Sequence, residues 1–432
     1  MTTAKQMEQK IAGGTFDEAF KKLYAQDNAT VMAQRERYAQ AVQAFASLYG
    51  ENRAVRLYST PGRTEIGGNH TDHNNGVVMA AAVNLDIIAV VSHNEDNTIR
   101  VKSKGFEKQD VIDLAKLVPQ EHEKGSSAAL VRGVAAGIQK NGGTVHGFDA
   151  YTTSNVLRGS GLSSSAAFEV IIGQIINGEF NSNKFSAVEI AKISQYAENV
   201  FFDKPCGLMD QTACAVGSTM TIDFKNPCAP VVHEVPFALA KHNFSLCITD
   251  TKGSHADLTA DYAAIRSEME GVAAFFGKAV LREVDEEAFV QAIPQIRNKT
   301  GDRAILRALH FYAECKRAQA LYAAVKEDRF TDFLHLIIDG GHSSFEYNQN
   351  AYSPKKPQEQ GVVLGVALSQ RLLSGQGAWR LQGGGFAGTI QAFVPNALVE
   401  EYRALLDGVF GAGSCYVLNV RNYGAVEVTE TL

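Results

Sequence analysis

Leu157-Arg-Gly-Ser-Gly-Leu-Ser-Ser-Ser-Ala-Ala167 is the stretch on which the fold turns. Gly159, Ser160 and Gly161 allow a close backbone approach. Ser163, Ser164 and Ser165 then lead into a helical pattern, with Phe168, Ile171, Ile172 and Ile175 at i, i+3, i+4 and i+7 spacing. A glycine loop feeding a helix N-terminus presents unpaired N–H groups and a positive dipole end, which suits a phosphate. The serine hydroxyls add donors or a ligand for Mg²⁺. A capped helix after a tight turn is the competing reading. No GxxxxGK[ST] stretch exists, so this is not a P-loop chain.

Two other glycine-rich stretches flank it. Pro61-Gly-Arg-Thr-Glu-Ile-Gly-Gly-Asn-His-Thr-Asp-His-Asn-Asn-Gly76 gathers Arg63, Glu65, His70, Asp72 and His73. The His70/His73 pair lacks a third metal ligand, and short polar groups among glycines suit a hydroxyl-rich ligand better. A solvated loop is the alternative. Leu381-Gln-Gly-Gly-Gly-Phe-Ala-Gly388 formally contains GxGxxG, but Thr389–Val394 reads as a strand, whereas a dinucleotide fingerprint needs a helix there. This stretch reads as a glycine loop packed on backbone or ligand, or as a hairpin turn. In Cys206-Gly-Leu-Met-Asp-Gln211, Asp210 sits among apolar and small residues, where a carboxylate needs a partner, a task or a helix N-terminus.

The chain has 432 residues, 45% of them apolar, which suffices for two or three domains. The balance of 41 basic and 47 acidic residues, net −6, gives no reason to expect a nucleic-acid or anionic-membrane partner. No apolar run reaches the length of a membrane span. Six scattered cysteines without a CxxC pair argue against a disulfide framework or structural zinc and fit a reducing cytoplasm. Residues 1–40 read as a polar helical extension, strand patterns dominate from 55 to 103, and a boundary near 230 precedes the long helices of the second half. The mixture predicts an α+β fold.

Together these stretches resemble the GHMP kinase superfamily and, within it, the galactokinase family. The family's sugar signature, about GRxNxIGEHxDYxxG, resembles Gly62–Gly76. Its phosphate loop resembles Leu157–Ala166, its CGxMDQ segment Cys206–Gln211, and its GGGFGG loop Gly383–Gly388. An Arg-x-x-His-x-x-x-Glu pattern recurs at Arg307, His310 and Glu314. The likeness spans about 41–425 and implies two α+β lobes, 41–230 and 231–432, with the active site between them.

The resemblance implies an ATP- and Mg²⁺-dependent sugar 1-kinase acting on galactose, a monomer or weak homo-oligomer. Position by position, it makes Asp210 the base and Arg63 the cation beside it. Gly159, Ser160, Gly161, Leu162, Ser163 and Ser164 would cradle ATP, Ser165 and Glu198 would hold Mg²⁺, and Asn69, His70, Asp72 and Tyr262 would contact the sugar. The chain departs from the pattern at several of these positions. Asn69 stands where Glu is usual, Glu65 where Asn is usual, Gly67 for Ile, His73 for Tyr, Leu157 for Pro and Ala387 for Gly. An uncharged residue 69 would hold a 6-hydroxyl less strongly and would not repel a 6-carboxylate. Galacturonate is therefore the alternative substrate, with Arg158 as a candidate partner and a non-catalytic sugar sensor as a third reading. On this view Asn69→Glu should raise kcat/KM for galactose.

Overall fold

The computed structural model describes residues 2–156, 161–254 and 258–432. Its strands are β1 (Arg56–Gly67), β2 (Val77–His93), β3 (Thr98–Ser103), β4 (Asp110–Asp113), β5 (Phe148–Ser154), β6 (Thr219–Asp223), β7 (Val231–Val235), β8 (Phe244–Asp250), β9 (Ala378–Leu381), β10 (Thr389–Pro395), β11 (Cys415–Leu418) and β12 (Val426–Glu427). Its α-helices are α1 (Ala4–Ala12), α2 (Asp17–Leu23), α3 (Asn28–Tyr49), α4 (Ser127–Lys140), α5 (Ser164–Asn181), α6 (Ala187–Tyr196), α7 (Met209–Val216), α8 (Thr259–Phe275), α9 (Glu286–Thr300), α10 (Asp302–Lys326), α11 (Phe330–Ser343), α12 (Gly361–Leu373) and α13 (Val399–Phe410).

The first sheet runs β12-β1-β2-β5-β3-β4, with β6 and then β7 continuing from β2. Every pairing is antiparallel except β3 with β5. The sheet is buried on both faces, and the period-two alternation of strands divides its side chains between two cores. Leu57, Ile88 and Val90 pack with Phe20, Tyr38 and Phe45 of α2 and α3. Tyr58, Ile87, Ala89 and Val91 join Val170, Ile171 and Ile175 of α5. The runs 77–83 and 87–91, which look separate in sequence, form one strand. The polar interruption is no turn, because Asp86 is buried within the sheet and accepts from Tyr24 at 2.6 Å, Arg37 at 2.6 Å and Arg421 at 3.2 Å.

The second sheet, β11-β8-β10-β9, is wholly antiparallel. Ile390, Ala392 and Val394 of β10 pack with Val362, Leu373, Tyr402 and Leu406 of α12 and α13. Phe393 faces the other way, toward Phe333 and Ile337 of α11, in the core shared with the first sheet. Helix α10 lies against both regions: Leu321 and Ala324 enter the shared core, while Ala308 and Phe311 pack with α8 and α9. Among the described residues, no helix is long and apolar enough to cross a membrane.

Three local features aim the site. Strand β1 shifts register between Pro61 and Arg63 and again between Glu65 and Gly67, and such bulges re-aim side chains. Gly62 permits the close approach that follows, since a Cβ there would lie 2.9 Å from the Leu162 carbonyl. Helix α6 starts with the expected capping box of Ser186 and Glu189 and widens at 197–202 into a π-helical turn that carries Glu198.

Candidate active site

Asp210 lies in the first turn of α7, where the helix dipole favours a carboxylate. Its Oδ1 accepts from Arg63 Nε at 2.8 Å and pairs with the same guanidinium's second nitrogen at 2.8 Å. Its Oδ2 accepts from the Ser163 hydroxyl. Arg63 is buried and also donates to the Gly161 carbonyl, so it bridges the carboxylate to the end of the glycine-serine loop. The Asp210 side chain keeps 34% of its surface exposed, enough for a ligand to reach it.

Ser163 stands at the N-cap of α5 with left-handed backbone (φ 57°), but its hydroxyl caps nothing. The hydroxyl is turned to Asp210 instead, and Ser163 caps none of the first amides of α5. The simple capped-helix reading therefore does not describe this loop. Gly161 has φ +68°, and its carbonyl also accepts from Gln382 Nε2 at 3.3 Å, which ties the loop to the start of the third glycine stretch. Leu162 is buried, while Ser164 and Ser165 are half-buried. Gly159, Ser160 and Arg158 lie outside the described residues.

The first and third stretches meet through side chains on carbonyls. Asn69 Nδ2 donates to the Gly383 carbonyl at 2.7 Å, His70 Nε2 to Gly384 at 3.0 Å, and the Tyr262 hydroxyl to Gly385 at 2.9 Å. Gly383–Gly385 are thus a backbone surface on which Asn69, His70 and Tyr262 dock. A Cβ on Gly384 would come 2.6 Å from the Tyr262 ring. Because a carbonyl only accepts, His70 carries its proton on Nε2 and leaves Nδ1 as an acceptor. Removal from water lowers its pKa to about 4, so it is neutral near pH 7. His70 and His73 do not form a metal pair, and no group of three His, Cys, Asp or Glu among the described residues is placed to hold an ion.

Asp72 is half-buried and accepts from the His73 amide at 2.9 Å. Burial, with Asp210 as a second negative charge, raises its pKa to about 6. Gly207 makes room for it, since a Cβ there would lie 1.9 Å from Asp72 Oδ2. That glycine, inside the quoted CGLMDQ segment, is a positioning residue sequence reasoning passed over.

Asn69 and Glu65 form one unit. Asn69 is fully buried; its Nδ2 also donates to Glu65 Oε1 at 2.9 Å, and its Oδ1 accepts from Asn350 at 2.9 Å and Ser344 at 3.3 Å. A ligand reaches Asn69 only by displacing one of these partners. Glu65 pairs with the buried Arg380 at 3.1 Å, and desolvation still pushes its pKa up to about 7 against the pull of Arg380 and Arg63. The two departures from the resembled signature therefore meet in this chain: the carboxylate at 65 accepts from the amide at 69.

His310 and Glu314 of α10 hold the backbone of this loop. His310 Nε2 donates to the Asn69 carbonyl at 2.8 Å, and Glu314 accepts from the Gly68 amide at 3.1 Å. Arg307 donates to the Asn348 carbonyl at 3.1 Å.

Beside Asp210, Gln211 Nε2 bridges two buried carboxylates, Glu198 Oε2 at 2.8 Å and Glu169 Oε2 at 3.1 Å. Glu198 Oε1 accepts from Lys204 at 3.0 Å. Burial and the neighbouring Glu198 push Glu169 well above the usual carboxylate range. Ser165 is one turn before Glu169 on the same face of α5. Glu169 Oε1 and Gln211 Oε1 are buried without a partner among the described residues. Hydroxyl, carboxylate and amide oxygens, two of them unsatisfied, fit a hard divalent cation such as Mg²⁺. Glu169 escaped sequence reasoning. Its only signal was a charge inside the apolar run Ala166–Ile172, four residues after Ser165.

Residues 43–93 match the galactokinase galactose-binding signature, and residues 129–218 match the GHMP kinase N-terminal domain. The structure is similar to that of a Lactococcus lactis galactokinase complexed with galactose. The TM-score is 0.78 at 22% identity, covering 91% of this chain and all of that one. It also shares its fold with a mevalonate kinase, at a TM-score of 0.55 and 14% identity, over 84% of this chain and 99% of the other. A galactokinase of Streptomyces coelicolor is 29% identical over 374 residues, 86% of this chain and 92% of that protein. A galactokinase of Actinobacillus pleuropneumoniae serotype 5b is 32% identical over 371 residues, 85% of this chain and 92% of that protein. With that identity sustained along nearly the whole of the relative, the chain belongs to the galactokinase family of GHMP kinases.

Proposed function

We propose that this chain transfers the γ-phosphoryl group of ATP to the anomeric hydroxyl of D-galactose, giving α-D-galactose 1-phosphate and ADP. The observation that carries the reading is the Ser163–Asp210–Arg63 arrangement. A carboxylate fixed by a guanidinium on one oxygen offers the other to a hydroxyl, beside the uncapped start of a helix. A sugar hydroxyl takes the place on Oδ2 that the Ser163 hydroxyl fills. As the anomeric oxygen bonds to the γ-phosphorus, the bond to the β–γ bridging oxygen breaks and ADP leaves with the electron pair. The hydroxyl proton is taken at Asp210. Arg63 offsets charge developing beside the transferred group, and positioning with such charge supplies most of the catalysis in phosphoryl transfer.

Gly159 to Ser164 with the α5 amides take the phosphates. His70, Asp72 and Tyr262 face the sugar, with Asn69 and Glu65 together behind them. Ser165 and Glu198 would hold Mg²⁺, which neutralises phosphate charge when bound. The lobe boundary falls near residue 230, with β7 and β12 of the second half completing the first sheet, residues 1–40 brace the first lobe, and the fold works as a monomer or weak homo-oligomer. Unpaired cysteines suit a reducing cytoplasm. Galacturonate gains no support from position 69, because the Asn69 amide is already engaged with Glu65, the Gly383 carbonyl, Asn350 and Ser344.

Coupled ADP release with Mg²⁺ and ATP, against galactose, galacturonate, N-acetylgalactosamine, arabinose, glucose and mevalonate, tests the reading. Galactose should lead, with the 1-phosphate seen by phosphorus NMR; galacturonate outpacing it would overturn the substrate. Asp210→Ala should lose at least about 100-fold in kcat while still binding ATP. Normal turnover would refute the role of Asp210.

A further inference from the structure

Glu198 is buried, with 3% of its side chain exposed, and both of its oxygens are engaged. Oε2 is held by Gln211, which cannot readily leave: it is fully buried and its Nε2 also binds Glu169. Oε1 is held by Lys204. A divalent cation that takes Glu198 as a ligand must therefore displace a donor, and the two donors differ in freedom. The Lys204 side chain is 60% exposed, and among the described residues its ammonium is bonded only to Glu198. Its root is nevertheless fixed, because its backbone N–H donates to the Glu198 carbonyl at 3.1 Å, after Asp203 in left-handed backbone and before Pro205. The ammonium swings on a flexible stem about a fixed point.

We propose that Lys204 is the built-in counter-ion of the cation site and that it passes to the nucleotide's phosphates when the cation takes Glu198. The inference rests on the assignment of Glu198 and Ser165 to that cation. An ammonium released from a buried carboxylate needs another anion. The phosphates at the start of α5 are the nearest that the reaction supplies, since Gln211 joins Glu198 to Glu169, one turn beyond Ser165. Lysine serves there as a point charge that needs no planar geometry.

The test uses the full chain with Mn²⁺ as probe. Binding is followed by electron paramagnetic resonance without nucleotide, and binding of a non-hydrolysable ATP analogue with Mg²⁺ is followed by calorimetry. Lys204→Met should bind Mn²⁺ about fivefold more tightly, because the competitor is gone. It should bind the analogue on the order of tenfold more weakly. A merely structural defect would not tighten metal binding. Lys204→Arg should keep analogue affinity within about threefold of the unaltered chain, since the charge remains. Mn²⁺ affinity that is unchanged or weaker in Lys204→Met overturns the counter-ion role, and unchanged analogue affinity overturns the transfer to phosphate. Glu198→Gln separates the premise from the inference: if that variant binds Mn²⁺ as well as the unaltered chain, the cation assignment itself fails.

Discussion

Restoring the family's glutamate at position 69 should damage this protein, and restoring it together with asparagine at 65 should repair most of the damage. In Asn69→Glu the amide's two donated bonds, to Glu65 at 2.9 Å and the Gly383 carbonyl at 2.7 Å, are both lost. Each was worth about 1 kcal/mol. A second carboxylate is also pressed against Glu65 at sites 0% and 4% exposed, and an uncompensated buried charge costs about 3–5 kcal/mol. The single variant should therefore lose about 5–7 kcal/mol of stability, and kcat/KM for galactose should fall. This reverses the sign expected from sequence. In the double variant Glu65→Asn with Asn69→Glu, an amide again faces a carboxylate. Gly383 still lacks its donor and Arg380 loses one partner, so recovery is incomplete, with a coupling of about 2–3 kcal/mol. The assay is urea unfolding of the four proteins at constant m, alongside coupled ADP release with galactose. Because Glu65 titrates at about 7, the clash should ease as pH falls from 8 to 6 and one carboxylate takes up a proton. Stabilities that add without coupling, or an Asn69→Glu protein within about 1 kcal/mol of the parent, would refute the idea that these residues act as one unit.

Two further outcomes follow from the geometry. Gly161→Val places a branched side chain at φ +68° with its Cβ 2.9 Å from Thr389 Oγ1; ATP affinity by calorimetry should fall on the order of tenfold, and unchanged affinity would remove this loop from the nucleotide site. The KM for galactose should rise as pH drops through about 6, where Asp72 takes up its proton and loses acceptor capacity, and Asp72→Asn should flatten that dependence. Stability runs the opposite way: the folded pKa lies above the ordinary 3.8, so this group's contribution is full below that value and is lost as pH rises through about 6.

How much of this could be read from the chain depended on the distance over which each residue works. Glycine-serine loops, the capping box of Ser186 and Glu189, and the strand after Gly388 declare themselves locally, through backbone freedom, hydrogen-bonding reach and side-chain period. That three glycine stretches should converge came from the resemblance, since nothing local tells Gly383 that Asn69 will donate to it across 314 positions. The exchange of Glu65 and Asn69 is visible in sequence as two separate departures. Only the 2.9 Å contact shows that the two positions act on each other, and for that reason position 69 read alone leads to a different expectation from the pair read together. Glu169 and Lys204 were hidden for a related reason, because an apolar helix run and a solvated loop give no hint that both end beside Glu198.

The N-terminal helices show most clearly why a polar segment outside every motif still bears on the chemistry. Tyr24 and Arg37, from residues 1–40, both donate to Asp86, which lies directly opposite Pro61 in the β1–β2 register. Arg421, near the other end of the chain, donates to the same carboxylate and to Ser59 at 2.7 Å. The bulge that re-aims β1 begins at Pro61, and Arg63 is the residue it delivers to Asp210. A buried carboxylate with four cationic or hydroxyl donors, Tyr24, Arg37, Arg421 and Ser59, is rigid, because any displacement leaves a charge unpaired in a dry interior. The helices therefore fix the strand two residues before the guanidinium must be placed. The placement of the Arg63–Asp210 contact is set in part from the opposite face of the sheet, through Asp86.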